Sequence, residues 1–282
     1  MAAAGDSGEL GRAGGLQTAV RKVIGPVFRN LFKLTIEGRE NLPPSGPAII
    51  AANHTSVLDS FIVPAVLPRR VTYVGKAEYL DDWKTRRLFP ALGMIPIDRS
   101  GGDAAQAALD LAARVLGDGE FFAIYPEGTR SRTGKLYKGR TGVARLAHRT
   151  GAPIIPVGLQ GMREIQPPDA SMPSFFKPAT IRFGKPLTLS DHGDADADPL
   201  VFRAATDALM FEICRLSGQI YENRYAPSAA QLAEEANTAI VIADLERSGA
   251  ERAMGQPWPR PRDEAPFARN ATATDLLRAG NG

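Results

Sequence analysis

Between residues 48 and 160 short apolar runs alternate with segments of helical periodicity. The run Ala48-Ile49-Ile50-Ala51-Ala52 follows the turn chemistry of residues 41–47 and predicts a buried strand; Val71–Val74 predicts a second. Met94–Ile97 predicts a third, placed at a sheet edge or a bulge because Pro96 has no N–H to give a ladder. Phe121–Tyr125 is a fully apolar strand, and Pro153–Leu159 is a further one. Helices are expected from the residues after His54 to about Leu67, over the mixed segment 79–92, over Ala104–Leu116 and over 140–149. This alternation predicts an α/β domain whose largely parallel central sheet is flanked by helices, with sites at the carboxyl ends of the strands.

Beyond residue 160, Thr180–Phe183 adds a strand. Asp198-Pro199 opens a helix with a cap and a proline at its first position; it runs to Leu216 and stops at Gly218. Residues 228–247 are Ala- and Glu-rich and helical in pattern, and the chain past Gly249 has little to bury.

At the other end, residues 1–15 lack periodicity and read as a disordered leader rather than a signal peptide. From Leu16 to Leu34, Val20, Val23, Ile24, Val27, Leu31 and Leu34 recur at helical spacing among Arg21, Lys22, Arg29 and Lys33. The charges and the Gly25-Pro26 pair oppose a membrane span. An apolar face flanked by cations suits a helix lying in a bilayer interface, or one packed on the protein's own core. The expected organisation is a leader over 1–15 and a basic amphipathic membrane-associating segment over 16–38. An α/β domain over 39–218 and a helical extension with a mobile tail over 219–282 complete it.

Composition narrows the chemistry. With 44% hydrophobic residues among 282 the chain can bury a full core. Three histidines and one cysteine provide no metal cluster at ligand spacing and no disulfide framework, so the chemistry is expected to be metal-free and the setting reducing and cytoplasmic. A net charge of +3 and a pI near 9.1 point to anionic partners. No nucleic-acid-binding module is recognisable, which directs attention to phosphorylated small molecules and anionic lipid surfaces.

At the end of the first strand, Asn53-His54-Thr55-Ser56-Val57-Leu58-Asp59 sets an imidazole before a carboxylate. A carboxylate on one ring nitrogen fixes the tautomer and stabilises the imidazolium, which suits His54 to act as a base oriented by Asp59. Ser56 and Asp59 also fit a capping box, and the residues leave both readings open. No Gly-x-Ser-x-Gly elbow occurs, and Cys214 falls in a predicted helix, so the attacking group is expected to be the substrate's own hydroxyl. Glu127-Gly128-Thr129-Arg130-Ser131-Arg132 follows the apolar strand 121–125 with a glycine for close approach and arginines able to bind phosphate. A solvated surface loop is the plainer alternative. Arg99 follows the strand 94–97 and fits either the same anion or a salt bridge with an acid such as Asp98. Lys76 follows the strand 71–74 on the same sheet edge. Glu127 would hold an arginine in place or accept a bond from a substrate hydroxyl.

In this order the blocks resemble the glycerolipid acyltransferase family, in particular the 1-acylglycerol-3-phosphate acyltransferases. Asn53-His54 through Asp59 matches the family's His-x4-Asp motif and Gly93 through Arg99 its second block. Pro126 through Ser131 matches the Pro-Glu-Gly-Thr-Arg-Ser block, and Pro153 through Val157 the apolar fourth block. The similarity spans roughly residues 40–190. Two departures stand out: Tyr125 where phenylalanine is usual, and Tyr79 where leucine is. The resemblance implies transfer of an acyl group from acyl-CoA or acyl carrier protein to a glycerolipid hydroxyl, with no further cofactor. His54 and Asp59 would be catalytic, and Arg99, Glu127, Gly128, Thr129, Arg130 and Lys76 would bind the substrate. The expected partners are acyl-CoA, a lysophospholipid and a membrane surface met by residues 16–34 from the cytoplasmic side. Another lysophospholipid or a glycolipid as acceptor, and a non-catalytic lipid-binding protein, are the alternatives.

Overall fold

The structure, a computed structural model, describes residues 22–23, 25–76, 86, 90, 92–97, 104–170, 172–189 and 198–255. The chain divides into two compact units, Met1–Ala226 and Pro227–Gly282.

The first unit is built on a seven-stranded sheet in the order β1-β8-β7-β2-β5-β3-β4. Its strands are β1 (Leu34–Glu37), β2 (Ala48–Ala52), β3 (Val71–Lys76), β4 (Met94–Ile97), β5 (Phe121–Ile124), β7 (Ile154–Gln160) and β8 (Ala179–Phe183). A two-stranded ladder joins β6 (Leu136–Tyr137) to β9 (Tyr221–Glu222). Every pairing in the large sheet is parallel except β7 with β8. β4 lies at one edge, where Pro96 stands opposite Gly75 and its missing N–H breaks no second ladder.

β2 is buried along its whole length. Alternate strand residues face opposite ways, so an all-apolar strand needs cover on both faces. Ile50 and Ala52 pack with Ile62, Val63 and Val66 of α1 (Asp59–Val66), and with Phe32. Ile49 and Ala51 pack on the other face with residues of α2 (Ala104–Gly117), α3 (Gly142–Thr150) and α5 (Pro199–Ser217). A short helix, α4 (Met162–Ile165), follows β7. α5 begins as its sequence predicts: Asp198 accepts the Leu200 N–H, Pro199 follows, and Gly218 closes the helix at φ 70°.

The N-terminal segment serves two environments. Residues 25–31 are helical; Phe28 and Leu31 pack on the core and Phe32 is buried, while Lys22, Val23, Val27 and Arg29 are exposed. Leu34–Glu37, at the end of the stretch that periodicity assigns to the membrane, is the strand β1 paired with β8. Lys33, at φ 42°, ends the helical path between them. The predicted helix over 79–92 lies outside the described residues apart from Arg86, Pro90 and Leu92.

In the second unit α6 (Ala229–Gly255) starts at a capping box, in which Ser228 and Gln231 each accept the other's backbone N–H. It passes through Gly249, where the sequence pattern ends it.

Candidate active site

β2 delivers the chain to the carboxyl edge of the sheet, and Asn53 sets its course from there. The buried amide of Asn53 donates to the Leu159 carbonyl at 2.9 Å and accepts the Leu159 N–H at 2.7 Å. This pins the loop to β7 beyond the last β2–β7 pair and places His54 in the loop before α1.

His54 Nδ1 lies 2.8 Å from Asp59 Oδ2. The same oxygen accepts the backbone N–H groups of Thr55 at 2.8 Å and Ser56 at 2.9 Å. Asp59 is fully buried at the first residue of α1, where exposed amide dipoles favour an anion. Its Oδ1 is buried without a hydrogen-bond partner among the described residues. The cap and the orienting acid are therefore one group: Asp59 returns to Ser56 as in a capping box, while the Ser56 hydroxyl accepts from Leu58. With Nδ1 committed to Asp59, Nε2 is the ring nitrogen left for a reacting proton. The His54 side chain keeps 14% exposure.

Two residues of the β5 loop support this histidine. The Tyr125 ring stacks on the imidazole with centroids 3.9 Å apart and planes 11° from parallel. Burial raises the Tyr125 phenol well above its usual range, the Asp59 charge adds to this, and a hydrogen bond with Ser60 opposes it. Glu127 is almost fully buried, and its oxygens accept the N–H groups of His54 at 3.1 Å and Tyr137 at 2.9 Å. Burial pushes the Glu127 carboxyl up to about 7 against the pull of these two amides. Its carboxylate ties the histidine loop to β6 through backbone, where the sequence suggests a partner arginine or a substrate hydroxyl.

The loop after Glu127 turns on Gly128 at φ 77°, where a Cβ would stand 3.1 Å from Arg140 Nε. A side chain there would meet both backbone strain and that guanidinium. Thr129 is exposed and Arg130 half-buried. Arg130 forms no ion pair among the described residues, and the next N–H, of Ser131, donates to the His54 carbonyl at 2.7 Å. Arg130 is thus held one residue from the histidine's own backbone. Lys76 ends β3 opposite Ile97 of β4, on the same sheet edge. Arg99 and Tyr79 lie outside the described residues. Among the described residues no cluster of His, Cys, Asp and Glu is arranged to hold a metal ion.

Sequence reasoning missed Gln219. Its Oε1 accepts from Asn53 Nδ2 at 2.7 Å and its Nε2 donates to the Gly134 carbonyl at 2.7 Å, bridging the histidine loop and the arginine loop. The close approach that brings it there depends on Gly158 of β7, where a Cβ would lie 2.4 Å from the Leu216 carbonyl carbon. No local pattern signals a contact between residues this far apart in the chain.

Residues 33–160 match the family model described as Acyltransferase. The chain is similar to the chloroplastic 1-acyl-sn-glycerol-3-phosphate acyltransferase LPAT1 of Arabidopsis thaliana, at 30% identity over 48% of this chain and 38% of that protein. It is also similar to the human 1-acyl-sn-glycerol-3-phosphate acyltransferase alpha, at 29% identity over 47% of each chain. The chain thus spans less than half the length of these relatives. Among solved structures, the 1-acyl-sn-glycerophosphate (LPA) acyltransferase PlsC of Thermotoga maritima superposes with a TM-score of 0.56 over 71% of this chain and 79% of that one. At 22% identity this establishes a shared fold. The stretch matched by the family model holds His54, Asp59, Glu127 and Arg130, whereas Gln219 lies beyond it.

Proposed function

We propose that this chain transfers an acyl group from acyl-CoA or acyl carrier protein to the free hydroxyl of 1-acylglycerol-3-phosphate, giving phosphatidic acid. The observation that carries the reading is the 2.8 Å contact of His54 Nδ1 with a buried Asp59, next to a loop that presents Arg130 without an ion-pair partner among the described residues. The names of the relatives supply the substrate class, which the geometry alone does not specify.

In this mechanism His54 Nε2 takes the proton of the acceptor hydroxyl as its oxygen attacks the thioester carbonyl. A carbon–oxygen bond forms, the carbon–sulfur bond breaks, and the proton passes to the leaving thiolate. Asp59 holds the ring and stabilises the imidazolium, and Tyr125 stacks on its face. General base catalysis of this kind contributes about 10²–10⁴-fold. Arg130 binds the acceptor phosphate, joined by Arg99 and Lys76, so that the hydroxyl is fixed near the base. Gly128 and Thr129 shape that loop, and Glu127 acts by positioning it. No cofactor beyond the acyl carrier takes part.

No helix among the described residues is long and apolar enough to cross a membrane. We place the enzyme peripherally on the cytoplasmic membrane face through residues 16–34, where a long-chain acceptor resides. Incubating the protein with acyl-CoA and lysophosphatidic acid and following thiol release tests the reading. Release with lysophosphatidic acid is expected; release only with another lysophospholipid or a glycolipid would overturn the acceptor assignment.

A further inference from the structure

We propose that the corner formed by residues 22–33 and 172–177 docks on an anionic lipid surface, with Phe175 and Phe176 as side chains that enter it. This extends the membrane contact of residues 16–34 to a second, distant segment and rests on that reading.

Met172, Phe175 and Phe176 are 69%, 46% and 64% exposed, and Val23 and Val27 of the N-terminal segment are 68% and 53% exposed. The two segments meet at Leu31–Phe32 and Phe175–Phe176. The Phe176 N–H donates to the Leu31 carbonyl at 2.8 Å, and the Phe175 ring stacks on buried Phe32 with centroids 6.0 Å apart. Among the described residues the non-glycine positions with positive φ are Lys33 at 42° and Phe176 at 62°. Both fall in this corner. A bulky residue rarely adopts that conformation, yet here it is retained with the phenyl group turned to the outside.

Charge favours a lipid surface as the occupant. Residues 22–33 carry Lys22, Arg29 and Lys33 and no acid, and residues 172–177 carry Lys177 and no acid. Phenylalanine and valine among cations suit the headgroup boundary of an anionic bilayer.

The sheet register gives the corner its functional sense. Leu34 pairs with Ala179, Gln160 with Thr180, and Ala52 with Val157. The segments entering β1 and β8 therefore lie at the edge where β7 and β2 end, the edge that carries His54. A bilayer seated on this corner would lie against the side of the molecule from which a lipid acceptor reaches the site.

Flotation of the full chain with vesicles of phosphatidylcholine and phosphatidylglycerol tests the proposal, using Phe176→Ser and the double variant Phe175→Ser/Phe176→Ser. Removing one inserted phenyl group should weaken partitioning about tenfold. Vesicles of phosphatidylcholine alone should bind the parent chain more weakly. Because Phe175 also packs on Phe32, a second measurement uses Phe176→Trp, with the emission of the two native tryptophans as reference. Quenching of the added tryptophan by bromolipid is expected. Unchanged flotation of the serine variants, or an unquenched tryptophan on chains that float, would overturn the proposal, as would loss of self-association without loss of flotation. Turnover of a short-chain soluble acceptor reads the enzymatic proposal separately and should be unaltered in Phe176→Ser; an inactive parent with phenyl-dependent flotation would sink the activity alone.

Discussion

The carboxylate of Glu127 meets His54 through the histidine's backbone: Oε1 accepts the His54 N–H at 3.1 Å while Oε2 accepts that of Tyr137 at 2.9 Å. Burial raises the carboxyl from 4.5 to about 7, so between these values the folded chain holds a proton that the unfolded chain has released. Stability from this group is complete below about pH 4.5 and is lost as pH rises through 7, a change on the order of 3 kcal/mol. Glu127→Gln should flatten that part of the stability curve while weakening one backbone bond. Urea unfolding of parent and variant across the window checks this; parallel curves would contradict it.

Gln219 should matter to turnover more than to folding. Gln219→Ala removes the bridge from Asn53 to Gly134, loosening the histidine and arginine loops against each other. A misplacement of about 1 Å can cost on the order of 100-fold in rate. The expected result is a lower kcat with KM for acyl-CoA near the parent value, partly restored in Gln219→Asn. An unchanged kcat would remove Gln219 from the positioning network.

Tyr125 separates stacking from hydrogen bonding. Tyr125→Phe keeps the ring over His54 and loses the bond to Ser60, worth about 1 kcal/mol. Tyr125→Leu also loses the stack, a further loss of roughly 0.5–1.5 kcal/mol. Denaturation midpoints should fall in that order, with turnover retained in the phenylalanine variant.

Arg130 is proposed to bind the acceptor phosphate. Loss of a charge-assisted hydrogen bond predicts that Arg130→Ala raises KM for lysophosphatidic acid roughly 10- to 100-fold while KM for acyl-CoA changes little. Lysine in its place should recover part of the affinity, since it restores charge but not the planar fork. Equal effects on both substrates would count against a phosphate role.

Much of the sheet was legible because its strands are short apolar runs between turn residues. β2 occupies the predicted residues 48–52, and Pro96 marks an edge strand. β1 was hidden because Leu34 continues the helical spacing of Leu31, and only the turn at Lys33 separates helix from strand. Gly249 reads as a stop, yet α6 runs on to Gly255, since a glycine inside a helix is costly without being forbidden. In the site, the local pair His54 and Asp59 could be read from spacing, including the ambiguity with a cap, which the structure resolves into a single oxygen serving both. The backbone role of Glu127 could not be read, because amide donors carry no sequence signature. Gln219 could not be read either, because its partners come from other strands and loops.

Thioester turnover by His54→Ala, with acyl-CoA and lysophosphatidic acid as substrates, tests the central claim most directly. Thiol release is expected to fall by about 10²–10⁴-fold while binding to anionic vesicles is unaffected. Turnover at the parent rate in that variant would contradict it.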